Sequence, residues 1–398
     1  MGGAEVMDVL AAMPLAAWVS LAAVLVWLGL LLGRGGFWRA DQKLDNAGVT
    51  HDEAVPVVAV IPARDEVFTI GRTVHSLLRQ DYPGPLTVVV VDDNSSDGTA
   101  EAARAAAERP DEKACLHVIQ GEPLPAGWSG KMWAVHQGLT HARQVTPEAK
   151  YVLLTDAEIE HNPGNLSRLM ARAVRENRAL VSLMVRLRCV SVWEKLLIPA
   201  FVFFFQKLYP FPKVNDPRSK VAGAAGGCML VRLDAFDAAG GIEAIKSELI
   251  DDCALARNVK AQNVSIWLGL ATRTRSLRRY EGQGEIWRIV TRTAFTQLGN
   301  SALNLLLMLA FMAVTYLWPP VALVWGAVTA DPVTAALGLI GWGLMAVAYW
   351  PTLKVYHMPR WRALTLPAAA LLYAGMTVDS ARRHWMGRGR AWKGRVYQ

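Results

Sequence analysis

A run of about 20 residues without a charge, PLAAWVSLAAVLVWLGLLLG from Pro14 to Gly33, sets the first limit on this chain. A helix of that length and polarity is long enough to cross a bilayer. A secretory signal peptide is the alternative, and it would need a basic start. The residues ahead of the run include Glu5 and Asp8 and no Lys or Arg, whereas Arg34, Arg39 and Lys43 come after it. This bias predicts an uncleaved helix over 14–33 with its N-terminus outside and the next domain in the cytoplasm. Toward the other end, Ser301 to Trp318 and Val333 to Trp350 read as two further spans. A third stretch, Ala363 to Val378, has about 16 residues and contains Pro367 and Gly375, which is short for a crossing. If it crossed, the basic tail at 379–398, with Arg382, Arg383, Arg388, Arg390, Lys393 and Arg395, would lie outside. That opposes the positive-inside bias. The favoured reading of the membrane region at 301–378 therefore ends in a re-entrant or interfacial helix, with the tail in the cytoplasm.

Hydrophobic residues make up 53% of the 398 and charged residues 19%, and the apolar excess sits at the two ends. This distribution implies a soluble domain between membrane segments. The net charge of +8 would suit nucleic acid, but its placement beside apolar runs suits a membrane side instead. Cys115, Cys189, Cys228 and Cys253 form no CxxC pair, so they read as free thiols rather than a zinc site.

From about Val55 to Thr274 the pattern is that of an α/β domain. VPVVAVIP (55–62), LTVVVVDD (86–93) and YVLLTDAE (151–158) are short apolar runs that read as buried strands. TIGRTVHSLLRQ puts Ile70, Val74, Leu77 and Leu78 on one helical face, and the alanine-rich 100–108 reads as helix. Strands alternating with helices imply a mainly parallel, Rossmann-like sheet covered on both faces. The aromatic stretch WEKLLIPAFVFFFQKLYPF (193–211) is broken by Lys195, Lys207 and two prolines. It is expected to be an interfacial helix, with a buried core helix as the alternative.

Acidic groups stand where strands end, and ligands of open α/β sheets bind outside those carboxyl ends. In VDDNSSDG, Asp92 and Asp93 are placed to accept hydrogen bonds from a base or ribose, while helix capping by Asn94, Ser95 and Asp97 is the plain alternative. In TDAEIEH, Asp156 and Glu158 are two hard oxygen ligands one residue apart, able to hold Mg²⁺ or Mn²⁺ against a diphosphate. Solvated turns also look like this. In ELIDDCALA, Asp251 or Asp252 can take a proton from an acceptor hydroxyl, or can serve only the helix N-terminus. GWSGKMWAVHQG carries Lys131, suited to phosphate but without P-loop spacing, and His136, which reads as structural.

Taken together, IPARDE, VDDNSSDG, TDAE and IDD resemble, in order and spacing, the family 2 glycosyltransferases, an inverting group with a GT-A type fold. The likeness covers roughly 55–292. GWSGKMWAVHQG, GEIWRIVTRTAFTQL and the WKGRVY ending are similar, more narrowly, to the bacterial hopanoid biosynthesis-associated glycosyltransferases. The resemblance implies that Ala63, Asp65, Glu66 and Asp92, with Asp93 beside them, frame the nucleotide of the donor. It makes Asp156 the first acid of a DxD-type metal motif, with Glu158 in place of the second aspartate. Asp252 matches the acid that serves as catalytic base, and Gly226, Gly227 and Cys228 would line the acceptor side. Processive members carry QxxRW; here Ile286 precedes Trp287 where that motif has arginine, which suits a single transfer. The expectation is a multi-pass enzyme of the bacterial inner membrane with a cytoplasmic catalytic domain. It would pass a hexose-like sugar from a nucleotide sugar, of UDP type, to a lipid such as a hopanoid. Transfer to polyprenyl phosphate and a catalytically silent membrane scaffold are the alternatives.

Overall fold

The computed structural model describes residues 13–387 apart from 45 and 47, together with the backbone of 391–392 and 395–396. Glu5, Asp8, Arg388, Arg390 and Lys393, which bear on the topology, lie outside the described residues. The chain divides into two compact units.

The α/β unit contains Ala40–Cys189 and Tyr209–Glu281. Its strands are β1 (Val57–Ala63), β2 (Leu86–Asp92), β3 (Leu116–Gln120), β4 (Tyr151–Thr155), β5 (Ile159–Glu160), β6 (Arg178–Arg186), β7 (Cys228–Arg232) and β8 (Ser265–Ser276). They form one sheet in the order β3-β2-β1-β4-β7-β6-β8-β5. β3, β2, β1 and β4 are parallel neighbours, as the alternating pattern predicts. The expectation of a mainly parallel sheet needs correcting beyond β4, because β7 runs antiparallel to both β4 and β6, and β5 antiparallel to β8. The reversal has a consequence for chemistry. It brings the start of β7 beside the carboxyl end of β4, pairing Cys228 with Thr155.

The valines of β2, Val88 to Val91, are fully buried, as are Val57, Ala59 and Ile61 of β1. Burying each of these valines, or Ile61, stabilises the fold by about 1.5–3 kcal/mol. Pro62 sits within β1 but costs no ladder bond, since the pairing with β4 stops at Val60 and only β2 continues alongside, Pro62 facing Val91. β1 and β4 therefore part at Val60 and Leu154. Strand order reverses at the same place, which is where open α/β sheets form a ligand crevice.

The helical unit contains the chain up to Arg39, Val190–Leu208 and the segment from Gly282 on. Three of its helices are long and apolar enough to cross a membrane: Leu15–Gly33, Ala302–Val328 and Pro332–Val355. The second runs ten residues past the end of the 301–318 reading, which stops at Trp318 ahead of Pro319 and Pro320. A π-helical turn at Ala313–Leu317 lets the helix continue. Pro319 has no N–H for the Thr315 carbonyl four residues before it, and Trp27 Nε1 donates to that carbonyl instead, at 2.8 Å. The next hairpin packs backbone on backbone. A Cβ on Gly338 would stand 2.5 Å from the Leu323 nitrogen, so only glycine fits there.

Val192–Leu208 is one helix despite Pro199. Ser191 and Glu194 cap its start, the Glu194 carboxylate accepting the N–H groups of Val190 and Ser191 at 2.8 and 2.7 Å. Its buried face is inside the unit, with Phe203 against Phe37 and Tyr349, while Val192 and Leu208 are exposed. Leu366–Trp385 is a 20-residue helix, longer than the 363–378 reading, because Pro367 falls in its first turn, where a missing N–H costs nothing. Trp287 Nε1 donates to Asp379 of this helix at 2.9 Å.

Candidate active site

The loops after β1 and β2 brace each other. Asp65, in a left-handed conformation at φ 50, accepts the Ser96 N–H at 3.0 Å and donates its own N–H to the Ser95 hydroxyl at 3.0 Å. The Glu66 N–H goes to Thr99, and its carboxylate accepts the Thr69 hydroxyl, at 2.8 and 3.0 Å. Asp97 accepts from the N–H and hydroxyl of Thr99, the first residue of the adjoining helix, whose N-cap is Gly98. Asp92 ends β2 and Asp93 comes next; both carboxylates are buried, Asp92 accepting the Ser95 N–H and Asp93 lying 3.5 Å from Arg64. Ala63 is fully buried and offers the cleft only its backbone, which already accepts the Asp93 N–H at 2.8 Å.

The second group forms around Lys131. GWSGKMW is a helix start: the Ser129 hydroxyl accepts the Met132 N–H, and the helix runs Gly130–Val145. This places Lys131 in the first turn, with its ammonium 3.0 Å from Asp156 and 3.2 Å from Asp251. Burial alone would lower the Lys131 pKa, but Asp156, Asp251 and Asp252 together hold it above the usual lysine range. Asp251 and Asp252 open the helix Asp251–Lys260. Asp252 accepts the Gly226 N–H at 2.8 Å and the Cys253 N–H at 2.7 Å. Burial, and then the like charge of Asp251, push its pKa up to about 6, against the opposing pull of Lys131 and the two N–H groups. Lys131, Asp156, Gly226 and Asp251 line a recess of about 320 Å³ floored by Pro62, Leu154 and Met229.

Asp156 and Glu158 make their ion pairs with different residues, Asp156 with Lys131. Glu158 pairs with Arg278 at 3.2 Å and lies 3.5 Å from the Ser276 hydroxyl. Burial works against the charge on Arg278, but Glu158, Tyr280, Glu66 and Asp156 outweigh it and raise its pKa. Arg278 is the residue that sequence reasoning missed. Its only signal is its place in SLRRYE just past β8. Among the described residues no group of three or more His, Cys, Asp or Glu stands ready for a metal.

The Gly226, Gly227 and Cys228 reading divides. Gly226 faces Asp252, and a Cβ there would come within 3.5 Å of the Lys131 ammonium. Cys228 is a correction: it is the first residue of β7, fully buried in the core, its thiol pushed up to about 12 by burial. Alternation along the strand turns it away from the cleft. His136 stacks on Trp133 with ring centroids 5.3 Å apart and has Trp128 at 5.0 Å, an aromatic cluster formed by the helix that carries Lys131 and the residue just before its N-cap.

A sheet that changes strand direction beside β4, with carboxylates gathered at the ends of β2 and β4 and at a later helix start, is a GT-A-like arrangement. Residues 58–240 match the model of Glycosyl transferase family 2, so the chain carries a glycosyltransferase family 2 domain, an enzyme domain. A 127-residue stretch is 32% identical to the 4,4'-diaponeurosporenoate glycosyltransferase of Staphylococcus aureus (strain USA300), and covers 31% of this chain and 31% of that protein. The alignment thus spans under a third of the relative's length. In fold, the chain is similar to the mannosyltransferase PcManGT from Pyrobaculum calidifontis, solved with GDP-Man and Mn²⁺. The TM-score is 0.54, at 18% identity, over 93% of this chain and 99% of that one.

Proposed function

We propose that this protein is a membrane-bound, non-processive glycosyltransferase that moves a sugar from a nucleotide sugar to a lipid hydroxyl with inversion. The observation that carries the reading is Asp252: half-buried, its carboxylate raised to about 6 and held by two backbone N–H groups beside Lys131 and Asp156. A carboxylate with a pKa near the working pH is suited to act as a general base. In the reaction the acceptor oxygen forms a bond to the anomeric carbon, the bond from that carbon to the diphosphate oxygen breaks, and the acceptor proton passes to Asp252. Asp92 and Asp93, with the braced loop of Ala63, Asp65 and Glu66, would frame the base and ribose. Lys131 and Arg278 would face the negative charge of the diphosphate.

Asp156 and Glu158 would hold a divalent ion, Mg²⁺ or Mn²⁺. Two carboxylate oxygens fit such an ion, which takes its other ligands from phosphate and water. When bound, it neutralises charge on the leaving diphosphate.

Three apolar helices and the basic residues Arg34, Arg39 and Lys43 after the first support a bacterial inner-membrane protein with a cytoplasmic catalytic unit. The domain limits proposed are 14–33, 55–292, 301–378 and a tail at 379–398, with 193–211 at the interface. An apolar acceptor is supported by a relative named for diaponeurosporenoate, and a hopanoid by the resemblance of GWSGKMWAVHQG and WKGRVY. UDP-sugars are the first donors to try. Lipid extracts from cells with and without the gene, compared by mass spectrometry, test the reading. A glycolipid that disappears with the gene names sugar and acceptor together. An unchanged lipid profile, with no donor turnover by the purified protein, would sink it.

A further inference from the structure

We propose that His161 is a positioning residue that orients the Thr155 hydroxyl, which locks the turn carrying Asp156 and Glu158 to the glycine pair that holds Asp252. The inference rests on the glycosyl-transfer reading for its meaning, but not for its geometry. His161 is 3% exposed, and its ring touches no carboxylate among the described residues. It lies in a row of buried polar side chains, Thr155, His161, Asn165 and Thr274, each at most 3% exposed.

The donors and acceptors in this row fix one direction. The Thr155 hydroxyl lies 2.8 Å from the Gly227 carbonyl, which can only accept, so the hydroxyl proton goes there. Thr155 Oγ1 is also 3.0 Å from His161 Nε2, and with its proton committed it must accept, which puts the ring proton on Nε2. His161 Nδ1 is then an acceptor, 3.1 Å from the Asn165 amide nitrogen. The Asn165 oxygen in turn accepts the Thr274 hydroxyl at 2.8 Å, while that hydroxyl accepts the Asn162 N–H at 3.4 Å. Reversing the Asn165 amide would force the proton onto Nδ1. Thr155 would then face two acceptors with one proton. Every member is satisfied only with a neutral ring carrying its proton on Nε2, and burial agrees, holding the His161 pKa far below its usual range.

The row runs from β8 through the helix Asn165–Arg175 to the end of β4, and ends on Gly227. Thr155 precedes Asp156, and Gly227 comes after Gly226, whose N–H holds Asp252. The centre of the acidic turn is fastened from the other side by Thr73, which donates to the Ala157 carbonyl at 2.9 Å, and Ser76 accepts the His161 N–H at 2.9 Å. The acid proposed for the donor and the acid proposed for the acceptor are thus joined through the Thr155 hydroxyl, and His161 fixes the sense of that hydroxyl by donating to it. A shift of about 1 Å in such a relation can cost roughly 10²-fold in rate.

The test uses full-length protein in detergent, labelled with ¹⁵N-histidine. His161, assigned by loss of its signal in His161→Gln, is expected to be neutral and Nε2-protonated from pH 5 to 8. His161→Phe is expected to lower kcat roughly 10²-fold per molecule competent to bind nucleoside diphosphate with Mn²⁺, with the donor KM little changed. His161→Gln, whose amide can still donate to Thr155, restores most of the rate. Thr155→Val lowers kcat likewise, and the double variant is no worse than His161→Phe alone. A merely structural histidine would reduce the yield of folded protein and leave kcat intact. If His161→Phe does not fold, Thr155→Val carries the kinetic test. A charged or Nδ1-protonated ring, or full kcat in a folded variant, overturns the proposal. If the wild type transfers no sugar, the functional reading fails, and the tautomer alone decides the hydrogen-bond chain.

Discussion

Asp252 accepts the N–H of Gly226 at 2.8 Å, across 26 residues of sequence, and this bond joins the start of one helix to the turn that enters β7. A carboxylate held in this way is aimed before any substrate arrives. The functional reading stands or falls first on that residue.

Asp252→Asn keeps the shape and the acceptor atom for Gly226 but cannot take a proton. Turnover is expected to fall by about 10²–10⁴-fold, while calorimetry with nucleoside diphosphate and Mn²⁺ shows near-normal binding. Asp251→Asn should be milder. If Asp251→Asn is inactive and Asp252→Asn is not, the two roles are exchanged.

The pH dependence comes from the same carboxylate. A base must be ionised, so kcat/KM should be present above about pH 6 and be lost as pH falls through it. For folding the sign is opposite. The folded state holds the Asp252 proton more tightly than the unfolded chain, so this group's contribution to stability declines as pH rises from about 4 through about 6. Lys131→Met removes a cation that favours the ionised form, and the acidic limb should move to higher pH. A limb that stays put or moves down would detach Lys131 from the base.

Asp156→Ala is expected to abolish metal-dependent binding of nucleoside diphosphate with the fold intact by circular dichroism. Arg278→Met should also weaken that binding, because it removes a guanidinium proposed to face the charge of the diphosphate. Undiminished binding by Asp156→Ala would remove the metal from the proposal.

The tail after Trp385 is predicted to be cytoplasmic, since Arg382 and Arg383 close the last helix, both paired with its own Asp379. Reporter fusions at Gln398 measure this. Activity confined to the periplasmic reporter would show that the last helix crosses.

Much of this was legible locally. Asp92 and Asp156 stand out because each ends a run of buried residues, and the helix start at Asp251 can be read from its acidic first turn. Partnership could not be read. Nothing near Lys131 in sequence marks Asp156 or Asp251 as its partners, because they come from a strand and a helix that only the sheet order brings together. Arg278 looks like its neighbours Arg279 and Arg275. Cys228 was misplaced because a glycine pair suggests a cleft, while the period of the strand decides which way the next side chain turns. The 301–318 reading ends ahead of Pro319 and Pro320, whereas the helix continues through them, with a tryptophan from elsewhere satisfying the carbonyl that Pro319 leaves free.

That tryptophan also sets an order of events. Trp27 and the Thr315 carbonyl are 288 residues apart. At about 5–20 residues per second, a ribosome needs roughly 15–60 s to synthesise the distance between them. The first helix must therefore wait, its indole without this mate, while the whole α/β unit emerges and has time to form. The first helix is made before the catalytic insert and its partner after it, so this closing step is timed by the length of the insert.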